Sequence, residues 1–230
     1  MASLFEVFSK YQVLFAQAVI LTIGLSLGTV MISTVLGSLV ALMKISHNKI
    51  LKSIASVYVA FIRGTPLLVQ IYMVFYGLPM LGINLPTVEF LGADFSRFCS
   101  GLVALVINST AYVCEIVRGG ILSIDDGQTE AARSIGFNKT QTMLYIIFPQ
   151  AIKNILPALG NEFVSIIKES SQVSVIGLAE LMYTTNTIRA ISFKSFEPLI
   201  IVSVIYFILT FVTSLFIKKL ETKLAKSNRS

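Results

Sequence analysis

Long stretches without a formal charge dominate the chain. Asp, Glu, Lys and Arg are all absent from Tyr11 to Met43, from Gly64 to Val88 and from Pro198 to Ile217, runs of 33, 25 and 20 residues. Each run reaches the roughly 20 residues that a helix needs to cross a bilayer. With two more apolar stretches that carry isolated charges, the pattern predicts five spans, near 17–43, 53–80, 98–121, 150–172 and 197–218. Ahead of the first, Leu4, Phe5, Phe8, Tyr11 and Phe15 recur at helical spacing, so the first 16 residues form either a short interfacial helix or the ragged start of span one. The division expected is an interfacial segment (1–16), a membrane domain (17–218) and a basic tail (219–230).

Two spans are poorly suited to a single straight helix. The second contains Arg63-Gly64-Thr65-Pro66, and proline removes a backbone donor while disfavouring helix in the residue before it. The fourth is entered through Pro149 and contains Pro157 and Gly160, which predicts a break there too. Broken helix in lipid survives only where protein or a wet cavity satisfies the freed backbone, so both spans are expected to face inward.

Composition sharpens this picture. Hydrophobic residues make up 55% of the chain and charged residues only 13%, about half the usual share of a soluble domain, which excludes both a soluble globule and a disordered chain. His47 is the only histidine, and Cys99 and Cys114 lie 15 residues apart on one predicted helix, so metal-ligand and Ser-His-Asp schemes lack their parts. The net charge of +6 sits beside the spans, which favours lipid headgroups over nucleic acid as its partner. Ala16-Gln17-Ala18 resembles a leader cleavage site, but the apolar run follows the triplet instead of preceding it, so the amino terminus is expected to be retained. Of the 18 Lys and Arg residues, 11 fall in the segments after spans one, three and five and 4 on the opposite side. The positive-inside rule then places the amino terminus outside and the carboxyl terminus in the cytoplasm.

Between spans three and four lies the polar segment Ser123-Ile-Asp-Asp-Gly-Gln-Thr-Glu-Ala-Ala-Arg-Ser-Ile-Gly136. Asp125 or Asp126 can cap a short helix, Gly136 suits its end, and Ala131, Ala132 and Ile135 share one side. Physics alone reads it as an interfacial loop helix, although its small residues would let another surface come close to the backbone.

The order Glu130-Ala131-Ala132, Gly136, Ile146, Phe148-Pro149 resembles the EAA loop (about 123–149) of ABC-importer membrane subunits, with Phe148 where that pattern usually has leucine. Three further stretches resemble the histidine/glutamine-type branch that handles polar amino acids: Arg63 to Gln70, Ala111-Tyr112 through Glu115 to Arg118-Gly119-Gly120-Ile121, and Lys168-Glu169-Ser170-Ser171. The resemblance implies an all-α integral membrane protein of the type-I importer permease fold in a bacterial cytoplasmic membrane. It implies a coupling helix, Glu130, Ala131, Ala132, Ser134 and Gly136, seated in a groove of a separate ATPase. It implies an assembly of two permeases, identical or paralogous, two ATPases and an extracytoplasmic amino acid-binding protein. Gly136-Phe137-Asn138-Lys139-Thr140 has the Lys-Thr pair of a phosphate loop but no glycine before the lysine, so ATP and Mg are expected on the partner and no cofactor on this chain.

Ionisable residues inside spans cost on the order of 2.5–3.5 kcal/mol each and mark candidate sites. Asn108, Tyr112 and Glu115 share a helical face, as do Asn161, Ser165 and Lys168, and Glu162, Ser165 and Glu169. A zwitterionic amino acid needs a cation or donor for its carboxylate and an acceptor for its amine, and these helices offer both. Asn161, Glu162, Glu115, Asn108 and Thr65 are therefore the expected substrate contacts. Glu115 and Arg118, at i and i+3, have a second reading as a self-neutralising pair. Arg63 is expected to hydrogen-bond carbonyls loosened by the adjacent break, and Lys168 and Glu169 to serve a gate or a receptor contact. An acidic residue at 162 suits a cationic side chain, and an amide such as glutamine's can also donate to it. A secondary transporter half using Glu115 or Glu162 as proton carrier, and a non-transporting anchor for an ATPase, are the rival readings.

Overall fold

The computed structural model describes residues 2–83, 88–90 and 93–226. Helix α1 (Ala2–Ile45) leaves helical geometry at Tyr11 (φ −115°, ψ 16°), where the Lys10 ammonium lies 5.4 Å from the Tyr11 ring centroid. The kink falls where the charge-free run begins. Beyond it, α1 carries Thr22, Ser26, Thr29 and Ser33 on one stripe, all fully buried. Ser26 and Thr29 donate to the carbonyls of Thr22 (2.7 Å) and Leu25 (2.8 Å), so their hydroxyls are satisfied within the helix. Without a hydrophobic driving force between helices in lipid, such small residues promote association by close approach. The stripe continues to Gly37, where a Cβ would sit 2.6 Å from the Val113 side chain of α4 (Phe95–Leu122).

The second predicted span is two helices. Helix α2 (Lys49–Gly64) stops where Thr65 turns extended (φ −117°, ψ 145°), and Pro66 opens α3 (Leu67–Met80) after a bend of 108°. Among the described residues four helices are individually long and apolar enough to cross a membrane, or up to five when this bent pair counts as one span. A two-residue antiparallel pair, Glu89–Phe90 with Ala93–Asp94, precedes α4.

The predicted break in the fourth span does not occur. After α5 (Asp126–Ser134) and a single turn, α6 (Lys139–Gln141), a wide π-type turn (Thr142–Ile147) leads into α7 (Phe148–Glu169). Helix α7 runs unbroken through Pro157 and Gly160; its irregularity lies at its ends, in that π turn and in the 3₁₀ segment Ser170–Ile176. Pro157 forfeits one N–H while the neighbouring turns stay packed through Ala151 and Ile155. Gly160 admits the next helix: a Cβ there would meet Ile217 at 2.7 Å, on α9 (Glu197–Lys226).

A further helix, α8 (Leu181–Ser192), packs with α9 around Phe15, Ala18, Leu181, Ile188, Ile201 and Val202. Its N-cap is Glu180, which is fully buried and accepts from the amides of Met182 (2.8 Å) and Tyr183 (2.7 Å) and from the Tyr206 hydroxyl (3.0 Å). A second cluster, on the side of the fold that carries α5, joins Ala41, Val59, Ile62, Ala111, Cys114, Val117, Ile147 and Ile155. Outward faces of α9 expose Phe207, Ile208, Phe211 and Phe216, a surface suited to lipid tails.

Candidate functional site

The bend between α2 and α3 exposes backbone that needs partners, and one side chain supplies most of them. Gln70, one turn into α3 and almost wholly buried, donates through Nε2 to Ile62 O (2.8 Å), Thr65 O (3.2 Å) and Thr65 Oγ1 (2.9 Å). Thr65 Oγ1 in turn donates to Phe61 O at 3.0 Å. Arg63, expected to take those carbonyls, does not. It is exposed, and its guanidinium lies 5.3 Å from the Tyr112 ring centroid, within cation–π range. The amide of Gln70 reaches those carbonyls from the buried side instead.

Helix α4 presents two adjacent polar residues to two different neighbours. Asn108 is 5% exposed and donates through Nδ2 to Gln70 Oε1 at 2.9 Å. Ser109 donates to Glu162 Oε1 on α7 at 2.9 Å, and its hydroxyl lies 3.1 Å from that of Ser33 on α1. Glu162 thus has one oxygen held, and among the described residues no cation forms an ion pair with it. Its neighbour Asn161 is exposed on the surface of the chain.

Glu115 is engaged on both oxygens. Lys44, at the end of α1, contacts Oε1, and Arg118 donates to Oε2 through Nε (3.0 Å) and Nη2 (2.8 Å). The i, i+3 pair with Arg118 is present, and Lys44 turns it into a triad that ties α1 to α4 where α4 leads into α5. Lys168 and Glu169 occupy the opposite end of α7 from α5, lining a cleft of about 290 Å³ with Ser165 and Gln172. The structure therefore brings Thr65, Asn108 and Glu162 into one region through Gln70 and Ser109, while Glu115 stands about two turns away along α4 and Lys168 and Glu169 lie beyond Glu162.

Helix α5 starts at an Asp125 side chain that accepts from Gly127 N at 2.8 Å, and past its end Gly136 adopts the left-handed φ of 96°. Ala131 and Ala132 do not present one common face. Ala132 is 3% exposed and turned into the chain, whereas Ala131, Ile135, Glu130 and Ser134 face outward. Adjacent residues sit 100° apart on a helix, so one that touches the protein along a single side can bury Ala132 and leave Ala131 outside.

Gln70, Ser33, Ser109 and Lys44 are the functional candidates that a reading by ionisable groups inside spans passes over. The first three carry no charge, and Lys44 lies just outside the first charge-free run. The signal available for Gln70 is its place four residues after Pro66, where a long amide can reach back over a proline break.

The family described as "Binding-protein-dependent transport system inner membrane component" matches residues 33–226. The "Arginine transport system permease protein ArtQ" of Bacillus subtilis is 39% identical over 212 residues, 92% of each chain. The "Probable glutamine ABC transporter permease protein GlnM" of the same organism is 38% identical over 224 residues, 97% of each chain. A crystal structure of "an amino acid ABC transporter with histidines" superposes with a TM-score of 0.86 at 45% identity, covering 94% of this chain and 96% of its counterpart. The MetNI methionine ABC transporter in an inward-facing conformation shares the fold alone, at 15% identity and a TM-score of 0.69 over 92% of this chain and 98% of its own.

Proposed function

The chain belongs to the family of binding-protein-dependent transport system inner membrane components, and from that premise we propose that it carries polar amino acids through a pathway built around Glu162. It is the membrane-spanning permease subunit of an ATP-binding-cassette importer. Relatives whose names specify arginine and glutamine support the substrate class. One observation carries the assignment of the site: Glu162, inside a span, has one oxygen fixed by Ser109 and no cation of its own among the described residues. A carboxylate in that position is expensive unless a cation or donor joins it, and the amino or side-chain group of a cationic or amide amino acid fits that need.

Asn161, Glu162 and Thr65 are the contacts of this reading. Asn108 and Glu115 enter as residues that hold the site together, since the Asn108 amide is occupied by Gln70 and both Glu115 oxygens by Lys44 and Arg118. Arg63, Tyr112, Asn161 and Lys168 are exposed on the chain's own surface within or beside spans. Such groups do not face lipid without cost, which supports a second permease subunit, identical or paralogous, covering them across a wet pathway. Two ATPase subunits would seat the outward face of α5, and an extracytoplasmic binding protein would deliver substrate near Lys168 and Glu169. ATP-driven closure of the ATPases would draw the two α5 helices together and swing the attached spans as rigid bodies. The amino terminus is outside and the carboxyl terminus cytoplasmic in this arrangement, as the basic residues beside the α5 end and on the tail support.

The test is Glu162→Ala in the reconstituted complex. Substrate-stimulated ATP hydrolysis and uptake of L-arginine and L-glutamine should lose their wild-type concentration dependence; retention of that dependence for both readouts would remove Glu162 from the pathway.

A further inference from the structure

We infer that Gln70 is a positioning residue for transport: it sets the α2–α3 break against the Glu162 side of the site, through Asn108. The inference rests on the permease reading above and adds a residue which that reading does not need. A membrane helix broken by proline leaves carbonyls that water or protein must satisfy. Here the carbonyls of Ile62 and Thr65, and the Thr65 hydroxyl, all turn to the two N–H groups of Gln70, at 2.8, 3.2 and 2.9 Å. Its carbonyl oxygen is left to accept from Asn108 at 2.9 Å. Both ends of the amide are therefore committed, one to the break and one to α4.

Continuity on α4 gives this clamp its consequence. Asn108 holds the break through Gln70, and the next residue, Ser109, holds Glu162 at 2.9 Å. Thr65 on one side and Glu162 on the other are thus linked by hydrogen bonds through two adjacent residues of α4, while Arg63 lies over Tyr112 about one turn further along. Among the described residues no other side-chain hydrogen bond or ion pair joins α3 to α4, and the N-cap Pro66 offers no side-chain hydrogen bond. Apolar contacts of Ile71 with Leu105 and Ala104 hold the helices together but are indifferent to shifts along the axis. A hydrogen-bonded amide pair is sensitive to them.

The experiment uses the complete complex of permease, ATPase and binding protein in proteoliposomes with ATP, measuring uptake of L-arginine and L-glutamine over a concentration series. Gln70→Met keeps the length of the side chain and removes every hydrogen bond. The half-saturating concentration should rise about tenfold, the effect of losing a buried hydrogen-bond partner, while the maximal rate falls less than about threefold. Asn108→Leu should raise it in the same direction, and the double variant should be no worse than the worse single, because both break one link. Half-saturation within about twofold of wild type, or single effects that multiply in the double variant, would overturn the inference. If Gln70→Met fails to assemble, Asn108→Leu decides alone, since it leaves the carbonyls of the break with their Gln70 donors. A wild-type complex that takes up neither amino acid would overturn the permease reading itself, and this inference with it.

Discussion

Ser109 on α4 and Glu162 on α7 meet through a 2.9 Å hydrogen bond, donated by the hydroxyl to Oε1, with the Ser33 hydroxyl of α1 3.1 Å behind it. Three helices thus converge on one carboxylate, and among the described residues a single hydrogen bond reaches it, at Oε1. The proposed pathway assigns the other oxygen to the cargo.

This relationship makes Ser109 an orienting group. Ser109→Ala should leave the complex assembled and weaken substrate by roughly tenfold, the usual scale for a hydrogen bond to a charged group. The check is the L-arginine concentration that half-maximally stimulates ATP hydrolysis. An unchanged value would mean that the carboxylate finds its orientation without the hydroxyl.

Neighbouring alanines on α5 should behave in opposite ways. Ala132 is buried at 3% exposure, so Ala132→Leu overpacks its site and should cost about 1–3 kcal/mol, seen as a lowered thermal unfolding midpoint of the purified permease. Ala131 faces outward, so Ala131→Trp should leave that midpoint unchanged but prevent co-purification of the ATPase. Normal ATPase recovery with Ala131→Trp would place the docking face elsewhere.

The α8 cap adds a pH dependence. Burial pushes the Glu180 carboxyl from 4.5 up to about 7, against the lowering effect of its hydrogen bonds from Met182, Tyr183 and Tyr206. A carboxyl with a higher value folded than unfolded binds its proton more tightly in the folded protein. Its contribution to stability is therefore full below about 4.5 and is lost as pH rises through about 7. The unfolding midpoint should fall between pH 5.5 and pH 8 by more in wild type than in Glu180→Gln. Equal slopes for the two proteins would contradict this.

The order of spans, the break at Pro66, the α5 helix with its Asp125 cap and Gly136 end, and the pairing of Glu115 with Arg118 were all legible in the sequence, because each follows from local spacing or charge counting. What escaped depends on contacts between distant segments. Gln70 and Ser109 are uncharged, and nothing near them in sequence reveals that Asn108 and Glu162 will be opposite. Lys44 reads as a loop residue until α1 and α4 are laid side by side. Pro157 and Gly160 resemble a helix break in isolation, but α7 stays helical despite the N–H lost at Pro157 and uses Gly160 to admit Ile217 of α9. Helix α8 is short and rich in Thr and Asn, residues that favour caps and turns over helix interiors, so its existence depends on burial against α1 and α9.

The central claim is that an external ATPase, acting through α5, drives amino acid past Glu162. Uptake of L-arginine and L-glutamine into proteoliposomes holding the full complex, with ATP supplied and every proton gradient collapsed by ionophore, tests it most directly. Accumulation should persist at the wild-type rate under ionophore and stop when ATP is withheld. Uptake that follows an imposed proton gradient in the absence of ATP would contradict the account.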